Sequence, residues 1–497
     1  MVKRITSKFF KVWQTPETTG QKVARGSFIL FFEKFLLKGL QFIRTVVIAR
    51  LLFPSDVGLF ALASLVLGAV GVFFQLGLNS AIVQKKEDID RYLDNVWTAN
   101  VLRGVVLAGV LFFGAPFFAG FFKNEAAVPL IRALAFLVLA EGFENIGMIV
   151  LQREIAFNKI FLYDIVGSIT QMGVIIFSAL ILKDVWALVL GAIAGRLAFM
   201  VFSYVIHPYR PKFNFDFKKS WELFGFSKWI VLSGIISFFA TRGDSLVIGK
   251  LLTTDNLAFY QMAFALGTLP AVEIVKTLGS VLFPLYSKLQ EDKERLKNAF
   301  VRISKVILTI MIPAAAGMFI LANEIVTYVY GSRWLPMVPI LYVVILIGLL
   351  KSFEYLVNPL FLGVGKPYLS SVVMVFQSLV MFSVIFSLTG RYGVVGAAIA
   401  ALAGALATQI IYVVKLRQEI RFSLFLILRE SILPLLASLV MGAVLYWLKT
   451  FVQINNQVLL IVFVFLGALV YFITVLTLDR LFGNKLTDSL LWIRRNI

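Results

Sequence analysis

The residues here with the most evident chemistry are cations set at helical spacing in apolar sequence. Between positions 24 and 49 an otherwise apolar stretch carries Glu33, Lys34, Lys38, Gln41 and Arg44. At 100° per residue, Lys34, Lys38 and Gln41 fall within about 60° of one another, and the whole set occupies less than half the helix circumference. The opposite face holds Phe32, Leu36, Ile43 and Val47. An arginine fork can hold a phosphoryl or carboxylate group through two hydrogen bonds, and a lysine adds a compact point charge. One face of this stretch therefore reads as a cationic wall suited to an anionic, amphipathic molecule. The bland alternative is an internal Glu33 pair with Lys34 or Arg44, with Lys34 reaching the interface along its own stem.

Further ionisable residues stand inside apolar stretches. Arg242 lies with Asp244 in 226–249 and joins Lys34, Lys38 and Arg44 as a candidate for the same anion. Glu273 and Lys276 follow Pro270, and Lys351 and Glu354 precede Asn358 and Pro359. Each pair is spaced i,i+3, which suits a local ion pair. Glu141, Glu144, Asn145, Asp164 and Arg196 make a third set, with Arg103 close enough to a membrane surface to snorkel. A charged group at the centre of a membrane span costs roughly 2.5–3.5 kcal/mol on insertion scales, so such groups usually line a wet cavity or pair with one another. Glu141, Glu144, Asp164, Glu273, Lys276, Lys351 and Glu354 are therefore candidates either for cation or proton coupling or for structural ion pairs.

Other chemistries find no residues to carry them. The chain has no cysteine and a single histidine, His207, which leaves no disulfide, no thiol nucleophile and no His- or Cys-rich metal centre. There is no GxxxxGK[ST] motif for ATP. No carboxylate pair reads as a general acid and base, so no catalytic residue is assigned and covalent chemistry is not expected. The net charge of +20 does not indicate nucleic acid, because the basic residues crowd short connections between apolar runs.

The elements that must position these groups are membrane spans. Of 497 residues, 60% are hydrophobic and only 15% charged, and apolar runs of about 20 residues, enough to cross a bilayer, recur from end to end. The spacing predicts fourteen transmembrane helices near 24–49, 57–83, 95–121, 127–150, 160–182, 185–206, 226–249, 258–285, 303–323, 336–362, 368–389, 393–414, 430–448 and 457–478. The termini and even-numbered connections hold roughly four times as many Lys and Arg as the odd ones, which puts both termini in the cytoplasm. The segment Ile43–Leu52 is echoed two hundred residues later by Gly243–Leu252. Val47, Ile48, Leu51 and Leu52 recur as Val247, Ile248, Leu251 and Leu252. An offset of six spans makes these parallel repeats about an axis along the membrane normal.

The expected fold is thus an all-α integral membrane protein with two pseudo-symmetric six-helix lobes around a central cavity and two additional C-terminal helices. The chain divides into a basic interfacial segment (1–23), an N-terminal lobe (24–206), a cytoplasmic linker (207–225), a C-terminal lobe (226–414), the last two helices with their connection (415–478) and a cytoplasmic tail (479–497).

Two strings on this framework, KGLQFIRTVVIARLLFPSDVGLFALAS (Lys38–Ser64) and FFQLGLNSAIVQ (Phe73–Gln84), resemble the start of bacterial polysaccharide export proteins. These are lipid-linked oligosaccharide flippases of the multidrug/oligosaccharidyl-lipid/polysaccharide exporter superfamily. LVIGKLLTTDNLAFYQMAFAL (Leu246–Leu266), FPLYSKLQEDKERL (Phe283–Leu296) and NPLFLGVGKPY (Asn358–Tyr368) extend the resemblance. It implies a secondary transporter of the bacterial inner membrane that moves a polyprenyl-diphosphate-linked oligosaccharide to the outer leaflet by alternating access, without ATP or a resident cofactor. It also implies coupling to sodium ions or protons, contact with membrane lipids, and polysaccharide polymerase machinery as a partner. Lys34, Lys38, Arg44 and Arg242 would receive the diphosphate or sugar acids. A multidrug exporter and a peptidoglycan lipid precursor flippase are the competing family readings, and a non-transporting membrane assembly protein is a third class.

Overall fold

The computed structural model describes residues 36–74, 90–154 and 156–482. The basic N-terminal segment, Lys34, and the part of the family-like string beyond Phe74 lie outside the described residues. Everything regular among the described residues is helical. Ten helices are long and apolar enough to cross a membrane, and two further helix pairs qualify if each bent pair is one span. The chain forms two compact units, one up to Gly234 and the other from Ile235 onwards.

In the first unit, α1 (36–51) ends at a corner and α2 (Pro54–Phe73) begins after Phe53. α3 (Asp90–Phe121) pairs with α4 (Ala127–Gly142), and the short α5 (Gly147–Arg153) follows. α6 (Phe157–Leu182) and α7 (Trp186–Ile206) form a hairpin. Both pairings are made by glycines that let backbones meet, the usual device where lipid offers no hydrophobic drive for helix association. A Cβ on Gly142 would lie 2.8 Å from the Asn100 carbonyl oxygen, and one on Gly104 3.1 Å from that of Val138. Gly195 likewise brings α7 against α6, where a Cβ would come within 2.6 Å of the Gln171 Cβ. Leu52, fully buried, then packs the end of α1 against Ile175, Ala179, Ala187 and Leu188 of that hairpin.

The stretch expected to be one helix over 127–150 is instead broken, with α4 and α5 bent by 62°. Asn145 sits at the break, 1% exposed, and uses nearly all its hydrogen-bonding capacity there. Its backbone N–H donates to Ser203 Oγ (2.9 Å), its amide donates to the Tyr209 carbonyl (2.7 Å), and its side-chain oxygen accepts from the Gly147 N–H (2.9 Å). An asparagine that satisfies backbone groups out of helical register competes with the helix itself. The segment 207–216 is extended and strapped onto the start of α3. Tyr209 OH donates to Asp94 (2.5 Å), the Lys212 N–H to the same carboxylate (2.9 Å), and the Asn214 N–H to Thr98 Oγ1 (2.9 Å). His207 accepts the Tyr209 N–H at Nδ1 (3.2 Å), and burial, aided by Lys159, holds its pKa below the usual histidine value.

α8 (Phe217–Leu251) begins inside the stretch read from sequence as a connection, and its residues from Ile235 open the second unit. α9 (Thr254–Gly267) follows. The repeat seen in the sequence is a repeat of local backbone: in both copies the helix stops at residue 51 or 251, Leu52 and Leu252 N–H donate to Ile48 and Ile248 carbonyls at 2.9 and 2.8 Å, and a new helix starts at 54 or 254. The side chains that start the new helices differ. Asp56 accepts from the Phe53 N–H (3.2 Å), whereas Thr253 Oγ1 accepts from the Asn256 N–H (3.4 Å). After α9 the chain bends by 54°, passes through a π-helical segment Ala271–Lys276, and continues as α10 (Thr277–Lys288).

α11 (Lys293–Ile320) and α13 (Val338–Gly363) flank a broken helical connection that includes α12 (Ala322–Ile325). The 53 residues of α14 (Tyr368–Ile420) are two helices, because Gly393 has φ 59° and ψ −141°, a combination open to glycine and strained for any other residue. The two halves run back along each other: a Cβ at Gly396 would strike the Leu388 carbonyl and one at Gly404 would lie 3.0 Å from that of Gln377. The core here is aromatic, with Phe300 edge-on to Phe422 (5.5 Å between ring centroids) and to Phe353 (6.0 Å). α15 (Leu424–Phe451) and α16 (Gln457–Phe482) dock onto α11 through Leu433, Ala437, Met441, Phe463 and Tyr471, whose hydroxyl donates to the Thr309 carbonyl at 2.6 Å.

Replacing Asn145 by alanine leaves the Gly147 N–H unpaired in the interior and takes from the Tyr209 carbonyl its amide donor, leaving it only the Arg210 guanidinium. The expected cost is roughly 1–3 kcal/mol, read as a lower thermal midpoint of the detergent-purified protein.

Candidate functional site

Arg44 points into a polar recess of about 290 Å³ within the first unit, lined by Leu37, Leu40, Gln41, Arg44, Ser168, Gln171 and Met172. Its Nη1 donates to Gln171 Oε1 at 2.9 Å. Gln171 is itself placed by the close approach of Gly195, so the glycine contact that pairs α6 with α7 also aims the Arg44 fork. One neutral acceptor leaves most of the guanidinium's five donors for other partners. Gln41 and Ser168 add uncharged hydrogen-bonding groups beside it, a combination suited to a phosphoryl or carboxylate group with hydroxyls nearby. Lys38 lies exposed on α1 one and a half turns earlier. Gln41, Ser168 and Gln171 complete the recess. Of these, Ser168 and Gln171 escaped the sequence reading because uncharged polar residues in an apolar run give a weak signal.

The carboxylates Glu141 and Glu144 form a second centre. Glu141 pairs with Arg103 at 3.0 Å and Arg196 at 3.5 Å, and Arg196 reaches Glu144 at 3.0 Å. Tyr163 OH donates to Glu144, and Asp164 is an electrostatic neighbour of that carboxylate. Arg103 was expected to snorkel, yet its side chain is only 19% exposed. The reason is adjacency: Gly104 and Gly142 touch, so Arg103 and Glu141 must stand side by side. The cluster joins α3, α4, α6 and α7 by charge.

In the second unit, Asp244 is buried and accepts from Tyr260 OH at 2.5 Å and from the Ser245 N–H at 2.6 Å, while Arg242 is exposed on the same helix. The i,i+3 pairs expected from sequence do not close among the described residues. Lys276 is exposed and makes no ion pair with Glu273, because the π-helical winding of Ala271–Lys276 moves positions three apart off a common line. Glu354 faces Tyr355 and Tyr412 electrostatically rather than pairing with Lys351. Long-range pairs hold α15 instead: Lys305–Glu430 at 3.2 Å and Lys449–Glu324 at 2.6 Å. Lys366, at the turn before α14, is bound by Glu419 at 2.7 Å, and that hydrogen bond raises its pKa.

The sequence profile described as "Polysaccharide biosynthesis protein" matches residues 47–339, more than half of the chain and most of the helices that frame both centres. The chain belongs to this family. The lipopolysaccharide biosynthesis protein WzxC of Escherichia coli (strain K12) is 25% identical over 351 residues, 69% of this chain and 70% of the relative. The probable low-salt glycan biosynthesis flippase Agl15 of Haloferax volcanii is 25% identical over 465 residues, 90% of this chain and 94% of its own. Among solved structures, the lipid II flippase MurJ in an inward closed conformation superposes with a TM-score of 0.74 at 17% identity, over 92% of this chain and 98% of that one. An inward-facing multidrug resistance MATE family transporter of the MOP superfamily gives 0.58 at 17% identity, over 77% and 94%. These two likenesses show a shared fold, and this member of the polysaccharide biosynthesis family is a multi-pass membrane protein built on it.

Gln171→Leu removes the acceptor that orients Arg44 while keeping the side chain's bulk. A net hydrogen bond of about 1 kcal/mol predicts a loss of roughly fivefold in initial transport rate, smaller than the loss in Arg44→Gln. Measuring both variants and the double variant checks it, since the two effects should not add.

Proposed function

We propose that this polysaccharide biosynthesis family member is a flippase, which carries a polyprenyl-diphosphate-linked oligosaccharide from the cytoplasmic to the outer leaflet of the bacterial inner membrane. The observation that supports it most is the Arg44 recess: a cation with spare donors and neutral hydroxyl and amide groups beside it, of which Ser168 and Gln171 stand on a helix inside the family match. Flippase is the printed role of the Haloferax volcanii relative, and lipopolysaccharide biosynthesis that of the Escherichia coli one. Lys34, Lys38 and Arg242 are proposed to share the anionic head group with Arg44.

The barrier to this reaction is the passage of a charged, hydrated head group through hydrocarbon. A polar lining lowers it by replacing hydration with fixed hydrogen bonds, and no covalent bond is made or broken. A cytoplasm-negative potential favours outward movement of each negative charge by about 2.3 kcal/mol per 100 mV. We read the whole as fourteen spans in two six-helix lobes plus α15 and α16: α1 begins the set, each bent pair counts once, and α14 counts twice at Gly393. Alternating access by the lobes, coupling to sodium ions or protons through the Glu141, Glu144 and Asp164 group, and association with polymerase machinery belong to the same proposal. The likeness to MurJ favours a lipid-diphosphate cargo over a drug and keeps a peptidoglycan precursor as the second reading.

In proteoliposomes, a lipid-diphosphate-linked oligosaccharide should change leaflets several-fold faster with the protein than without it. Arg44→Gln should lower that rate about ten- to hundredfold, the effect of losing a charged hydrogen bond of roughly 1.5–3 kcal/mol. Movement of lipid II alone, with none of the oligosaccharide carriers accepted, would replace this cargo by the second reading.

The absence of native cysteine permits a direct check of orientation. Gln290→Cys, in a connection assigned to the cytoplasm, should resist an impermeant maleimide in intact cells, and Ser332→Cys should react. The opposite pattern would invert the topology.

A further inference from the structure

The α3–α4 pair has a second face that the transport reading leaves unused. Arg103 and Glu141 occupy one face. Val105 and Leu139, each two residues away and therefore about 200° round the helix, belong to a groove of about 230 Å³ on the other, lined by Val105, Gly109, Phe112, Phe113, Phe136 and Leu139 among others. Gly109 forms its floor, where a Cβ would meet nothing within 4 Å. Phe113 and Phe136, 82% and 56% exposed, stand as its rims.

Arg132 stands at one end of this groove. It shares a helical stripe with Ala135, Phe136 and Leu139, and it is exposed. Its guanidinium lies 5.3 Å from the centre of the Phe112 ring, and its Nε donates to the Phe112 carbonyl at 3.3 Å. No carboxylate among the described residues lies within ion-pair distance of it. Arg132 is five residues into α4, about 7 Å from the helix start, and Leu139 is about 10 Å further along. At the first depth an arginine can reach the lipid phosphates, and at the second the surroundings are acyl chains.

We propose that this face is a binding site for an anionic phospholipid, with the phosphate on Arg132 and one acyl chain along the Gly109 floor. The cation, which has no carboxylate partner among the described residues, supplies the charge complement, and the aromatic rims bound an apolar slot. Each methylene enclosed adds contact that a mobile bilayer chain does not make. The site is separate from the Arg44 recess and needs no transported cargo.

Native mass spectrometry of the full-length protein, delipidated and titrated with phosphatidylglycerol or phosphatidylcholine, tests it. The wild type should retain phosphatidylglycerol several-fold better. Arg132→Gln should erase that preference, and Gly109→Leu, whose Cβ meets no neighbour within 4 Å, should fill the floor and reduce retention of both lipids several-fold. Gly173→Leu, at another open glycine on α6, should change neither. Equal retention of the two lipids by wild type would overturn the proposal, as would a Gly109→Leu protein that binds like wild type.

Discussion

Close backbone contact at glycine governs most of what this molecule can do. Lipid tails are as apolar as leucine, so helices in a bilayer associate by packing and polar contact rather than by escape from water. Where Gly104 meets Gly142, and where Gly195 meets Gln171, the helices approach until neighbouring polar side chains have no alternative but each other. The first contact closes Arg103 onto Glu141 and the second aims Gln171 at Arg44. Polar pairing is thus a consequence of packing, and it in turn makes that packing specific, since a slip of one residue would leave charges in hydrocarbon.

The two units use charge differently. In the first, one arginine is shared by two carboxylates while another keeps a neutral partner and free donors. Arg196 is largely satisfied as a structural link, whereas Arg44 retains capacity for a ligand. In the second unit two ion pairs run between distant segments, Lys305 to Glu430 and Lys449 to Glu324. Both fasten α15, one to the middle of α11 and the other to α12, while Tyr471 and Gln457 hold α16 through the Thr309 and Tyr328 carbonyls. A helix tied at two levels is held to its support along much of its length.

Broken helices serve the same end. The break at Asn145 and the π-helical winding after Pro270 free backbone groups inside a membrane protein, where each must find a partner. Asn145 supplies those partners itself and ties the break to the 207–216 strap. The result is a rigid corner, bent by 62°, held by hydrogen bonds that cross α3, α5 and α7.

Much of this was legible from residue order alone. Apolar runs, their basic connections, the repeat of Val47–Leu52 at Val247–Leu252 and the unusual intramembrane charges are local properties, because span length and the cost of burying a charge depend on the residue and its near neighbours. Arg44 stood out for that reason. Ser168 and Gln171 did not, since a neutral polar residue in a span becomes a site only through what faces it. Nor could periodicity reveal that Arg103 meets Glu141 rather than the surface, that Asn145 breaks its helix, or that Glu273 and Lys276 part. Those outcomes depend on which backbones touch and which buried groups would otherwise go unpaired, and that is decided only when helices distant in sequence pack together.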